Sequence, residues 1–252
     1  MAVMDEAEEN NLDIKVQNER WLRWSTCSLC EQQYHGVVKC ALGWACWKTY
    51  VGRPETDDSR RSAMTQLGNG LDAVNHYEDA LSVREAELSM ERRVGDSEEA
   101  MLLTLGNLAN SYRRLGRTTE AANIYRDVYS GRLKLLGEEH RETLGAAGNY
   151  ATSLIDVHRY TEAKHLMRKS IPVARRVLGE SADATLRMRR TCAQTLYQDP
   201  GATLDDLREA ATTLEEIERT ARRVFGGAHP LTSAIEEDLR QARAGLAATE
   251  QS

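Results

Sequence analysis

Proline and phenylalanine are scarce in this 252-residue chain, with only four Pro and one Phe. So few prolines leave long helices uninterrupted, and so few large aromatics argue against a β-sandwich. No apolar run reaches the roughly 18 residues of a membrane span, so no membrane partner is expected. The net charge is −6, which excludes an overall basic field that would pull the chain onto nucleic acid or anionic lipid. The first ten residues hold Asp5, Glu6, Glu8 and Glu9 and no base, unlike a secretory signal or a mitochondrial presequence. A cytoplasmic location with reduced thiols is therefore expected. Phosphate-loop, zinc-protease and serine-elbow motifs are absent, and the adjacent pairs Glu98-Glu99, Glu138-Glu139 and Glu215-Glu216 point apart on a helix. Catalysis is not expected.

What the chain does have is a period. Asn107-Leu108-Ala109 returns as Asn149-Tyr150-Ala151, Glu120-Ala121 as Glu162-Ala163, and Leu136-Gly137-Glu138 as Leu178-Gly179-Glu180. Leu144 returns as Leu186, and all four features keep an offset of 42. A fixed period of this size marks stacked supersecondary units that bury a core only against their neighbours. Leu105, Leu108, Ala109, Tyr112 and Leu115 give one amphipathic helix, and Gly116-Arg117-Thr118 ends it and caps the next. A second helix is expected from about Thr119 to Leu136, closed by Gly137. The plan repeats over 146–187. An earlier copy fits 63–103, with Asp79-Ala80 matching Glu120-Ala121. A later copy spans 188–240, where Glu209-Ala210 matches Glu162-Ala163 at an offset of 47. Its five extra residues fall in the turn-rich Gln198-Asp199-Pro200-Gly201-Ala202-Thr203.

Leu105-Gly106, Tyr112, Gly116 and Ala121 resemble the tetratricopeptide helix-turn-helix pattern. The longer unit ending in Leu136-Gly137-Glu138-Glu139-His140 is similar to the repeats of kinesin light chains, whose inter-repeat loop reads Leu-Gly-x-x-His-Pro-x-Thr. Phe225-Gly226-Gly227-Ala228-His229-Pro230-Leu231-Thr232 fits that loop with one added residue, and Leu178–Thr185 fits it with Asp183 in place of the His. The resemblance implies an all-α fold: a right-handed α-solenoid of about four repeats over 63–240, with a tail at 241–252. It also implies noncatalytic protein binding of the scaffold type. In that family the first helix of each pair lines the inner surface, where an Asn bonds the backbone of a bound peptide. The matching positions are Asn107 and Asn149, with Gln66 in the first copy and Thr191 in the last. Asn110 and Arg114 share that face one and two turns on. An amide suits the task because it donates and accepts at once; solvation of a helix face is the other reading.

Residues 1–18 form an acidic lead expected to be disordered. Residues 19–53 form an island holding all four Trp and four of the five Cys. Cys27-x2-Cys30-x4-His35-x4-Cys40 has the spacing of a zinc knuckle, in which three thiolates and an imidazole complete a tetrahedral shell for a structural zinc ion. Cys46 is an alternative ligand. Thiols that only pack, or a disulfide, are the competing readings. Trp21, Trp24, Tyr34, Trp44 and Trp47 with Arg20, Arg23, Lys39 and Lys48 could bind single-stranded RNA. The preferred role for the Trp residues is to cap the first repeat. Cys192, in the slot of Tyr150, is expected in the core.

Overall fold

The computed structural model of the protein describes residues 13–250; most of the acidic lead, residues 1–12, lies outside them. Among the described residues there are eleven helices: α1 (Ile14–Leu22), α2 (Gly36–Tyr50), α3 (Asp58–Asp72), α4 (Tyr77–Val94), α5 (Glu98–Arg114), α6 (Thr118–Leu136), α7 (Arg141–Asp156), α8 (Tyr160–Leu178), α9 (Asp183–Tyr197), α10 (Leu204–Phe225) and α11 (Pro230–Glu250). The only β pairing among them is one antiparallel bridge, Thr26 to Gln33. The expected all-α architecture of consecutive helix-turn-helix repeats is therefore present. Two compact units divide the chain, 1–117 and 118–252.

In the first unit, α2 lies unusually close to α3, and glycine is the reason. A Cβ on Gly43 would stand 2.7 Å from the Gln66 carbonyl oxygen and 3.1 Å from the Leu67 Cα. One on Gly70 would meet the Cys40 Cα at 3.0 Å. Trp21, Trp24 and Trp47 pack around buried Cys46, Tyr50 and Ala63. Trp21 and Trp24 lie 5.5 and 6.4 Å from the Tyr50 ring. Three of the four Trp thus cap the first helix pair, as the sequence predicts.

Buried polar ties join α3, α4 and α5, and the hydrophobic periodicity gives no sign of them. Arg84 donates to Asp72 at 2.5 Å, to Asn69 at 3.1 Å and to Ser111. Glu87 accepts from Thr65, and Glu91 from Thr104 at 2.8 Å. Burial pushes the Glu87 carboxyl up to about 7, with nearby Glu91 adding to the shift. Thr65, Arg84 and Arg61 oppose it.

In the second unit the repeat joint explains its own sequence. Gly137 takes φ +82, a left-handed turn that costs a glycine little. His140 then caps α7, its Nδ1 accepting the Glu142 N–H at 3.2 Å. His229 does the same for the Leu231 N–H at 3.2 Å. In the joint before α9 the capping place belongs to Ala182, which has no side-chain cap. Asp183 is therefore not the His counterpart that the motif alignment implies: it stands one residue on, inside the helix, and pairs with Arg187 at 2.7 Å. The Thr that ends each loop is a buried pin. Thr143 donates to Arg132 O at 3.2 Å, Thr185 to Ala174 O at 3.4 Å, and Thr232 to Gly226 O at 2.9 Å.

The insertion also falls where the offsets put it. Residues 198–203 link α9 to α10, and Thr203 closes a capping box with Asp206. The helices begin earlier than the apolar pattern suggests, α5 at Glu98 behind the Ser97 cap and α3 at Asp58 behind the Asp57 cap. The last helix runs through the expected tail to Glu250.

Two outcomes follow. Gly43→Ala should force α2 away from α3, destabilising the first unit by about 1–3 kcal/mol; Trp fluorescence during thermal melting reads it. The Glu87 carboxyl holds its proton more tightly folded than unfolded. Its contribution is therefore fully present below the ordinary Glu pKa and is lost as pH rises through about 7. Glu87→Gln should flatten that fall and raise the melting temperature at pH 8, measured by a pH series of thermal melts.

Candidate functional site

The sequence places the binding face on the first helix of each pair. In the second unit these are α7, α9 and α11, and α9 packs on both of the others. In repeat register, Asn149, Thr191 and Asp238 fall in one row, at offsets of 42 and 47. Their environments differ. Asn149 is exposed. Thr191 is buried, with its hydroxyl 3.5 Å from that of Thr152. Asp238 is only 4% exposed and accepts from three side chains. These are Arg190 at 2.6 Å, Gln194 at 3.0 Å and the Tyr197 hydroxyl at 3.0 Å. Burial pushes the Tyr197 phenol up, and the Asp238 carboxylate adds to the shift, so the hydroxyl stays a donor.

This network was missed in the sequence. The signal that could have found it is the 47-residue offset of the last copy, which carries Thr191 onto Asp238. One polar slot thus serves two ends: Asp238 ties α9 to α11, while Asn149 faces solvent.

In the first unit the predicted residues fall on two helices. Gln66 sits on α3 where α2 crosses it, its backbone oxygen under Gly43, and its side chain is partly buried. Asn107 is partly buried on α5, while Asn110 and Arg114 are exposed, in register along the same side of that helix. The Arg114 guanidinium lies 5.9 Å from the Tyr77 ring centroid, which holds it as a cation over an aromatic face. Gln66 is therefore the predicted residue least available to a ligand.

Two clefts open in the second unit. One, of ≈ 390 Å³, is walled by Tyr150, Leu154 and Leu166, with Glu162 and His165 beside them. The other, of ≈ 570 Å³, lies between α10 and α11 and is lined mostly by charge: Glu215, Glu218, Arg219, Glu236, Arg240 and Arg243. Arg243 and Glu215 pair there at 2.7 Å.

The zinc spacing meets a different outcome. Cys27 and Cys30 do come together, on one turn, with hydrogen bonds from the Cys30 and Leu29 N–H groups holding the Cys27 thiol at about 7. His35 precedes α2 as its N-cap residue and is exposed. Cys40 packs against Leu67 and Leu71, and Cys46 is fully buried, its thiol pushed up to about 12 by desolvation. Among the described residues no three of His, Cys, Asp and Glu stand close enough to share an ion. The zinc shell expected of Cys27, Cys30, His35 and Cys40, with Cys46 as alternative, thus finds no support in this arrangement. Cys40 lies one turn into a helix, where it packs toward α3. The RNA platform loses its stacking faces in the same way: Trp21, Trp24 and Trp47 pack in the cap, and Trp44, at 45%, is the Trp left exposed. Cys192 is buried in the core beside Met188, as expected.

The tetratricopeptide repeat profile matches residues 101–142 and 143–183. No curated protein sequence matches the chain. Among solved structures, BtubC (BKLC) from P. vanneervenii superposes with a TM-score of 0.63 at 14% identity, covering 84% of this chain and 89% of that one. A Podosopora anserina protein described as a kinesin light chain of nearly identical TPR-like repeats superposes with a TM-score of 0.58 at 18% identity. That match covers 78% of this chain and 100% of the other. Its Q17M form gives 0.59 at 18% identity, over 77% and 97%. Residues 101–183 thus match the tetratricopeptide repeat, and the chain shares its fold with kinesin-light-chain-like structures. Such repeats are typically noncatalytic and generally mediate protein–protein interaction. Among the described residues no helix is long and apolar enough to cross a membrane.

Asp238→Ala should strand Arg190 beside a buried gap and cost about 3 kcal/mol. Chemical denaturation of the full chain measures it. A double-mutant cycle with Arg190→Ala should recover a coupling of at least ~1 kcal/mol.

Proposed function

We propose that this chain is a noncatalytic interaction protein of the cytoplasm. It holds an extended peptide, or an extended segment of a partner protein, along the face lined by the first helix of each pair. The observation that carries this reading is Asn149. It stands exposed in a slot whose other occupants in its unit, Thr191 and Asp238, are buried in internal bonds. An amide left in water at that register can donate to a peptide carbonyl and accept from a peptide N–H without dismantling the fold. Asn110 and Arg114 add an exposed polar and an exposed cationic side chain on α5, with Asn107 beside them. Such a face reads backbone first, and side-chain specificity comes from neighbouring clefts. The apolar hollow beside Tyr150 and Leu166 is suited to one nonpolar anchor.

Asn107→Ala/Asn149→Ala tests the reading. Each lost amide removes hydrogen bonds worth about 1 kcal/mol, so the double variant should hold its partners roughly tenfold or more weakly. Quantitative affinity capture against wild type is the measurement, with circular dichroism to show unchanged helicity. An unchanged partner list would sink the peptide-face reading.

A further inference from the structure

The Cys27–Cys30 pair has a geometry of its own. The segment between α1 and α2 is a short hairpin, closed by the Thr26–Gln33 bridge and by the Cys27 N–H donating to Gln32 O at 2.8 Å. Inside it the Glu31 N–H donates to Cys27 O at 2.9 Å, and Glu31 takes a left-handed φ of 57. Residues 27–31 therefore make one helix-like turn. Residues three apart on such a turn share a side, with Cβ atoms about 5–6 Å apart. The Cys30 and Leu29 N–H groups, and after them the Cys30 side chain, lower the Cys27 thiol. A disulfide needs Cβ atoms about 3.5–4.5 Å apart, so closure asks for a movement of roughly an ångström in an exposed turn.

The other three thiols are spent on packing. Cys40 lies against Leu67 and Leu71, Cys46 against Tyr50 and Ala63, and Cys192 in the cluster of Met188. Cys30 is exposed and Cys27 half-buried.

We propose that Cys27 and Cys30 form a thiol–disulfide exchange site that reacts with low-molecular-weight disulfides, independent of the partner-binding face. One thiolate of the pair attacks a sulfur of the small disulfide. Its S–S bond breaks, one small thiolate leaves with the electron pair, and a mixed disulfide remains on the protein. The second thiolate of the pair attacks the protein sulfur of that bond, forms the Cys27–Cys30 disulfide and expels the other small thiolate. The two cysteine protons end on the two small thiols, so the small disulfide is reduced by two electrons and the pair is oxidised by two. The ring closed is only one turn long and constrains little of the unfolded chain, so oxidation leaves the repeats' stability in place.

The probe is oxidised glutathione, applied to the folded 252-residue chain, with intact mass and free-thiol count as readouts. Wild type should lose two thiols with no retained adduct, and dithiothreitol should restore both. Cys27→Ser and Cys30→Ser should each retain one glutathione on the remaining cysteine, because the resolving sulfur is gone. Cys40→Ser should behave as wild type, and its melting temperature reports whether the cap still folds. A lasting adduct on wild type, no thiol loss, or equal loss from Cys40, Cys46 or Cys192 would overturn the assignment.

Discussion

Everything in this chain depends on helices that approach closely at small side chains. Ala80, Ala121, Ala163 and Ala210 recur in repeat register and are all fully buried. Ala109, Ala151 and Ala193 recur on the first helices of their pairs and are also fully buried. The side chains at a crossing set how closely two helices approach, within about 8–10 Å, and a methyl group allows the short end of that range. Larger apolar residues then fill the space on either side: Leu154, Met167, Leu186, Leu196, Leu214 and Ile217 are among the largest fully buried side chains. The same principle runs further at the N-terminal cap, where the α2–α3 crossing demands glycine rather than alanine at Gly43 and Gly70.

Because the crossing residues are a methyl or less, their positions are rigid in sequence, and that is why the repeat could be read without coordinates. The Ala slots, the Leu-Gly joints and the five-residue insertion all follow from it. Gln198–Thr203 proves to be the α9–α10 link, and Thr203 the cap of the next helix. Helix starts were less legible. Ser97, Glu98 and Glu99 are polar residues that satisfy and charge a helix N-terminus, so they interrupt the apolar period just where the helix begins. Periodicity sees burial, and a helix's first turn is commonly unburied.

The candidate site was legible in part for the same reason. A polar residue recurring in register on a first helix is visible in sequence, and so Asn107 and Asn149 stand out as candidates. Whether such a residue meets a ligand or its own neighbours depends on what the adjacent helix offers. Asp238 was invisible because its partners, Arg190, Gln194 and Tyr197, come from another helix. The zinc spacing of the cysteine island found no support for a related reason. Ligand spacing along a chain fixes which sulfurs could meet, but Cys46 packs with Tyr50 and Ala63 and Cys40 with Leu67 and Leu71, away from Cys27. Only the pair confined to a single turn keeps its proximity, because nothing but local backbone geometry sets it.

Stability and recognition therefore draw on one set of positions. A repeat slot that faces the next first-helix can be filled by a group that bonds that helix or by one that bonds water, and it cannot do both. Asp238 takes the first course and fixes the α9–α11 register at the cost of presenting nothing. Asn149 takes the second and leaves its register to the buried Ala147, Ala151 and Leu154 around it. An exposed amide in such a slot contributes little to folding, and the joint pins Thr143 and Thr185 already hold the helix in place. The residues proposed for binding are thus those the stability argument can spare, and the repeat register is what separates them from the rest.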